Sequence, residues 1–427
     1  MLVIPVDSTQ TLFIAVLLLL LGTYIKSKTK FFTKYCIPGP VVGGLLFSGL
    51  ALALRQSGVV EFEFNTSLQQ FFMNLFFTAS GYGASMYLLK RGGKLIVIFL
   101  GLAAVLAALQ NVLAISLANI LNVEPMIALM TGSIPMTGGH GNAAAFAPIA
   151  EELGFAGAMT VAVAAATFGL VSGSIMGGPV ANSLILKKGL FTKKVQQELG
   201  VEVEEDVAYD LAVGGTVTTS STISKSKSAA KPSQADVHPF NAKVLSRSFY
   251  LIFIGLGLGS VLHIIFKQLM PGVTLPIHVM GMLGGVIIRI LMDWKKLTVP
   301  EKEIDAIGDV CLGVFVSMAV YTMKLWELTG LAVPLLILLF AQVVLMYLFA
   351  VYVTFPLMGK NFDSAVITAG HIGFGLGAVP VSMANMNTVS EKFAYSKLAF
   401  FVVPIIGGLF SNFTNAAIIT FFMNVAK

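Results

Sequence analysis

Thr131-Gly132-Ser133-Ile134-Pro135-Met136-Thr137-Gly138-Gly139-His140-Gly141-Asn142 breaks an otherwise apolar segment at about 125–152. Glycines let a backbone turn sharply and approach a ligand closely. A half-helix that starts after such a turn points unpaired N–H groups into the break, and its dipole adds partial positive charge there. At membrane depth, irregular backbone is tolerated only against protein or a wet cavity. A second segment, at about 364–391, has the same character. It reads Ala369-Gly370-His371-Ile372-Gly373-Phe374-Gly375-Leu376-Gly377-Ala378-Val379-Pro380, followed by Ser382, Asn385, Asn387, Thr388 and Ser390. Each segment holds two half-helices and a tip, and reads poorly as one straight span. Both are therefore expected to be re-entrant helical hairpins. One such break alone is open to reading as a packing defect. Two in matching places point to a site where the breaks meet.

Around the hairpins lie apolar runs at about 9–25, 37–54, 68–89, 95–121 and 157–186, then 247–268, 275–293, 304–325, 330–357 and 396–424. A spanning helix needs about 20 apolar residues. Charged residues make up 11% of the chain and hydrophobic residues 56%. A soluble domain carries about 25% charge, so a bilayer is the solvent that fits. The fold class read from this is an all-α integral membrane protein of ten spans and two hairpins.

Charge orients it. No Lys or Arg precedes the first run, and Lys26, Lys28, Lys30 and Lys34 follow it. That reads as a retained helix with its N-terminus outside. Inner loops then hold all but Arg55, Lys267, Lys324 and Lys427 of the 27 basic residues. A full span at either hairpin would reverse every later loop. The net charge of +6 is scattered through these loops and forms no nucleic-acid patch.

The halves repeat. Ile37-Pro38 and Leu275-Pro276 each open a second helix, with Val41 and Gly43 matched by Val279 and Gly281. Both hairpins end in a charged turn, at Glu151-Glu152 and Glu391-Lys392. Five spans per half is odd, so the second half is inverted, residues 1–186 against 247–427. Inverted repeats with broken helices are a transporter architecture. Between them, 187–246 is a polar linker with an acidic run and a Thr/Ser run, expected to be a cytoplasmic tether.

Among candidate site residues, Gly373-Phe374-Gly375 follows no strand, so it is no nucleotide loop. The asparagines offer carbonyl oxygens to a hard cation such as sodium, and bridging of helices is an equal alternative. Sodium candidates are Asn111, Thr167, Asn387, Asn412 and Asn415. Further polar residues in the spans are Gln110, Ser172, Asn182, Gln342, Ser411 and Thr414. His140 and His371 lack partners at metal spacing, and a hydrogen bond within each hairpin is expected for both. Cys36 and Cys311 read as free thiols. Arg289 is expected to snorkel at the inner end of its span and Asp363 to cap the second hairpin. With no basic residue at the midplane, an anion must be held by backbone N–H groups, hydroxyls and amides. Ser133, Thr137, Asn142 and Asn385 are candidates for that work, and Gln110, Asn111, Thr167, Ser172, Asn182, Gln342, Ser411, Asn412, Thr414 and Asn415 could help, structural helix–helix bonds being the alternative for each.

The sequence resembles the bacterial sodium/glutamate symporter family. The resemblance rests on Gly132-Ser133 with Gly138-Gly139-His140-Gly141, Ala166-Thr167-Phe168-Gly169-Leu170-Val171 and Gly177-Gly178-Pro179-Val180. In the second half it rests on Lys324-Leu325-Trp326-Glu327-Leu328, Met358-Gly359-Lys360-Asn361-Phe362-Asp363, His371 with Gly373-Phe374-Gly375, and Ala384-Asn385-Met386. It covers nearly the whole chain outside the linker. It implies sodium-driven glutamate uptake in a bacterial inner membrane, no organic cofactor, a homodimer, and an elevator motion of a unit bearing both hairpins. Gly138, Gly139, His140, Gly141, Gly373, Gly375 and Gly377 would then line the site. The chain departs from the family at Asn142-Ala143-Ala144-Ala145-Phe146, at Val379-Pro380-Val381 and at Asn412, where the family tends to hydroxyls or a carboxylate. Those departures leave open a symporter of the same build for another anion or driven by protons. A membrane enzyme would need a nucleophile–base set, and none stands at readable spacing.

Overall fold

The computed structural model describes residues 2–35, 37–83, 93–192, 241–269, 276–328 and 332–426. Cys36, Lys90, Arg91, Leu275 and the central stretch 193–240 lie outside the described residues. In chain order come β1 (Leu2–Val6), α1 (Ser8–Lys28), α2 (Lys30–Lys34), α3 (Gly39–Gln56), β2 (Val60–Phe64), α4 (Ser67–Gly81) and α5 (Gly93–Leu121). The first hairpin contributes α6 (Pro125–Leu129) and α7 (Gly139–Glu152), and α8 (Ala158–Lys187) follows. Then come α9 (Ala242–Leu269), α10 (Ile277–Trp294), α11 (Glu301–Tyr321) and α12 (Ala332–Leu357). The second hairpin contributes α13 (Phe362–Gly375) and α14 (Val379–Lys392), and α15 (Lys397–Val425) ends the described chain.

Nine of the described helices are long and apolar enough to cross a membrane. Of the expected run 68–89, the described part is the 15-residue α4. Phe13, Leu17 and Leu20 on α1 and Phe253, Ile254 and Ile264 on α9 are exposed. Apolar surface on so many helices needs lipid against it. The chain is a multi-pass membrane protein.

The all-α expectation needs one correction. β1 and β2 form a two-stranded parallel sheet, with Leu2 opposite Val60 and Val6 opposite Phe64. Val60-Glu61-Phe62-Glu63-Phe64 alternates apolar and acidic, the period of a strand. The α1–α3 pair supplies the crossover that parallel strands require. A search for spans passes over so short a pattern.

Two helix pairs cross on glycines. A side chain at Gly22 of α1 would strike the Gly39 carbonyl of α3. In the same way, one at Gly259 of α9 would strike Gly281 of α10. Without side chains between them the backbones approach closely, the contact that membrane helices favour. Helix α4 packs on α10 and α11, and α3 packs on α11. Elsewhere α8 packs on α7, α13 and α14, while α5 touches α6, α12 and α15.

Both glycine-rich segments are broken helices. Helices α13 and α14 have 14 residues each and pack against one another across a break at 376–378. At about 1.5 Å per residue neither is long enough to cross a bilayer. The first segment is less regular than two half-helices. Its first limb is helical for five residues only, and a run of turns at 130–138 leads into α7. Pro135 has no N–H to give the Thr131 carbonyl, which, beside Gly132, Gly138 and Gly139, disfavours a continuous helix there. Helices α12 and α15, expected as plain spans, each carry a π-turn, at Ala350–Thr354 and Ile405–Phe410.

Two charged residues differ from expectation. Arg289 does not snorkel. It is buried, donates to the Tyr82 carbonyl at 3.0 Å, and pairs with Asp293 at 3.0 Å and Glu301 at 2.6 Å. It thereby fastens the ends of α4, α10 and α11. Asn361, not Asp363, caps α13, in a reciprocal pair with Ser364. The Asp363 carboxylate instead accepts from the Ser396 hydroxyl at 2.6 Å.

Candidate functional site

The two breaks meet. Gly139, the first residue of α7, has φ +61°, a left-handed conformation natural to glycine. A Cβ built there would stand 2.7 Å from the Gly377 carbonyl oxygen of the second break. Helix α8 runs past both: a Cβ at Gly169 would strike the Leu376 carbonyl, and Gly377 lies against Leu170. Gly375 lies against Met346 of α12 and Leu106 of α5, and Gly373 against Ser382 where α13 and α14 touch. Gly141 points elsewhere. A Cβ built there would meet Leu312 of α11 at 3.5 Å and Phe76 of α4 at 3.9 Å.

Ser133 is held on three atoms. Its N–H donates to Asn111 Oδ1 at 2.8 Å, and its hydroxyl accepts from Asn111 Nδ2 at 2.9 Å. Its carbonyl accepts from Asn415 Nδ2 at 3.0 Å. All three residues are buried. The Thr137 hydroxyl donates to Gln110 Oε1 at 2.7 Å, and Gln110 Nε2 donates to the Gly375 carbonyl at 2.7 Å. One amide side chain thus joins the two breaks.

The histidines bond outside their hairpins, contrary to the expectation of bonds within. His140 Nε2 lies 3.0 Å from Thr167 Oγ1 of α8. The Thr167 proton goes to the Val163 carbonyl at 2.9 Å, so the hydroxyl accepts and the imidazole donates. His371 Nδ1 lies 2.9 Å from Thr354 Oγ1 in the π-turn of α12. Each imidazole had a partner that only the fold brings near.

The sodium candidates separate. Asn111 has both amide atoms committed to Ser133. Thr167 serves His140. Asn412 Nδ2 donates to the Gly408 carbonyl of its own helix at 3.3 Å. Asn387 is exposed on α14 and does not join the buried group. Asn415 is 1% exposed and its Oδ1 has no donor, although its Nδ2 is used. Asn385 pins α14, donating to the Gly173 carbonyl at 3.0 Å and the Ala369 carbonyl at 3.3 Å. Asn142 lies folded against Gly138, with Nδ2 buried and unpartnered.

Both breaks lead into a helix, α7 at Gly139 and α14 at Val379. In the first turn of α7 the Gly139 N–H already donates to the Pro135 carbonyl, and in that of α14 Pro380 has no N–H while Val381 and Ser382 both donate to the Ala378 carbonyl, so what the two helix ends offer is chiefly partial positive charge. Beside His140's partner Thr167 lies a cavity of about 410 Å³, walled by Val163, Ala164, Phe168 and Val171 of α8, Leu45 of α3, and Met323 and Leu325. It separates α8 from the α3–α11 side. Among the described residues no group of His, Cys, Asp and Glu stands at metal-binding geometry.

A family profile for the sodium/glutamate symporter matches residues 4–395. The chain belongs to the sodium/glutamate symporter family. It is 37% identical over 425 residues to the sodium/glutamate symporter of Escherichia coli (strain K12), covering 98% of this chain and 97% of that one. The symporter of Haemophilus influenzae (strain ATCC 51907 / DSM 11121 / KW20 / Rd) is 36% identical over 417 residues, 96% of this chain and 95% of the relative. The likeness is spread over the full length. Both broken segments, whose glycines and histidine carried the resemblance, fall inside the matched region.

Sequence reasoning offered Gln110 as one of ten polar residues that could help hold an anion, without the bonds that tie it to both breaks. A buried glutamine one residue before Asn111 was a usable signal. What it lacked was the register that turns both toward the breaks.

Proposed function

We propose that this protein is a sodium-coupled symporter of L-glutamate that works by alternating access. The observation that carries the reading is the meeting of two helix N-termini, α7 and α14, at the contact between Gly139 and Gly377. Two such ends favour carboxylate oxygens without a Lys or Arg. The relatives named as sodium/glutamate symporters supply the cargo.

Sodium fits one oxygen best. Asn415 Oδ1 is buried and unpartnered beside a broken, glycine-rich backbone, and a hard cation takes such carbonyl oxygens. Sodium there offsets substrate charge, and each ligand raises the affinity for the other. Ser133, Thr137, Gly138, Gly139 and His140 of the first break face Gly373, Gly375 and Gly377 of the second across the substrate. Asn142 supplies a free amide N–H, and Asn385 holds the second hairpin in register.

The inverted repeat is supported by the like pairing of α1 with α3 and α9 with α10, both on glycines, and by two matched breaks. An elevator motion fits the packing of α7, α13 and α14 around α8, which leaves a cavity toward α3. The homodimer rests on family resemblance. The distribution of Lys and Arg supports termini outside the inner membrane and a cytoplasmic linker.

The test is radiolabelled L-glutamate uptake into proteoliposomes under an inward sodium gradient, then with potassium or choline replacing sodium. Uptake in sodium alone supports the proposal. Uptake equal in all three salts, or displaced better by dicarboxylates lacking an amine, overturns it.

A further inference from the structure

Gln110 is fully buried in the middle of α5, and all of its polar atoms near the breaks are used. Oε1 takes the Thr137 hydroxyl of the first break, and Nε2 gives to the Gly375 carbonyl of the second. Gln342 Nε2 of α12 holds the Gln110 backbone carbonyl at 2.8 Å, which fixes the helix where the amide projects. The Gly375 carbonyl is in the last turn of α13, where the helix runs out of its own donors. A donor must come from elsewhere, and Gln110 is that donor.

The anchoring of the two breaks is unequal. The first has Asn111 and Asn415 on Ser133 as well as Gln110 on Thr137. At the second, the side-chain bond from α5 is the one at Gly375. We propose that Gln110 is a positioning residue that latches the second break shut against the first, so that a loaded site is closed before it moves. This rests on the transport reading. An ordinary helix–helix hydrogen bond would join two helices. This amide instead joins two breaks that a site requires to be together.

Loss of the latch opens the second break selectively. One hydrogen bond of ordinary net strength shifts an open–closed equilibrium about three- to tenfold. The test is labelling by a membrane-impermeant maleimide of purified protein carrying Cys36→Ser and Ala378→Cys. Ala378 is half-buried at the second break. Cys311, buried in α11, is the internal reporter of an intact fold. Without ligands, Gln110→Met labels at position 378 about three- to tenfold faster than the parent, with Cys311 still protected. Thr137→Val leaves the Gly375 bond in place and keeps the parental rate. Gln110→Glu, which retains an acceptor for Thr137 and loses the donor, is read in the same way should Met disturb packing. Parental labelling rates in both Gln110 variants, with Cys311 protected, overturn the proposal. So does equal acceleration by Thr137→Val. The comparison uses no substrate. If the parent fails to take up glutamate but the labelling contrast holds, the transport reading falls and the latch stands.

Discussion

Gly139→Ala tests the meeting of the two breaks most directly. Two costs arise. An alanine at φ +61° sits in the left-handed region, at about 1–2 kcal/mol. Its Cβ, 2.7 Å from the Gly377 carbonyl, must also push the second break away. Overpacking of this kind costs about 1–3 kcal/mol. Together about 2–5 kcal/mol opposes closure, a fall of roughly 30-fold to several thousand-fold in the closed population. The companion is Gly141→Ala. Its Cβ would meet Leu312 at 3.5 Å and Phe76 at 3.9 Å, ordinary contact distances. Inside a helix alanine is favoured over glycine by just under 1 kcal/mol, so this variant should be neutral. Sodium-driven uptake in proteoliposomes, with KM and maximal rate measured separately, reads both. The expected result is a large rise in KM or loss of uptake for Gly139→Ala and near-parental kinetics for Gly141→Ala. Parental uptake by Gly139→Ala refutes the argument that the breaks must touch. Equal damage from both variants refutes the claim that the contact with Gly377 is what matters.

Other expectations follow from single contacts. Asn415→Leu removes the unpartnered Oδ1 and the bond to Ser133, and is expected to raise the sodium concentration for half-maximal uptake about tenfold or more, read from a sodium titration. Asn387→Ala is expected to leave that titration unmoved, since Asn387 is exposed on α14; a tenfold shift would return it to the site. The double variant His140→Gln/His371→Gln keeps hydrogen-bonding side chains and is expected to retain sodium-dependent glutamate binding in calorimetry; its loss would revive a proton relay. Arg289→Met removes the ion pairs to Asp293 and Glu301 and leaves the Tyr82 carbonyl without this donor, and is expected to lower the melting temperature in detergent with KM unchanged.

How much of this was legible in the sequence depended on the range of the interactions involved. The two breaks were legible because Gly138-Gly139 and Gly373 to Gly377 interrupt apolar runs with residues no straight span requires. The spans were legible from length and apolarity alone. The little sheet was not, because two five-residue strands separated by three helices leave no periodic signal long enough to compete with α1 and α3. The partners of His140 and His371 were hidden for another reason. Thr167 and Thr354 lie on other helices, and their pairing follows from packing of α8 and α12 on the hairpins. Asn111 and Asn415 were picked out as polar residues in apolar surroundings. Which of them keeps an oxygen free was decided by Ser133, which takes both ends of one and a single end of the other.

The π-turn at Ile405–Phe410 sets an angular constraint on everything that follows it in α15. Each residue of an α-helix advances the side chains by about 100°. A π-turn carries one residue more than the α-helical turn it replaces, so it resets the phase of the helix beyond it. Asn415, a few residues on, faces Ser133 in the phase so produced. Straightening the turn into α-helix at the same residue count would swing Asn415 by about 100°, away from the first break, whereas straightening it by deleting the one extra residue would leave Asn415 close to its present phase. The same holds for the π-turn of α12, which presents Thr354 to His371. Substitutions that drive either turn into plain α-helix at unchanged residue count should therefore disturb these contacts more than removal of the one extra residue.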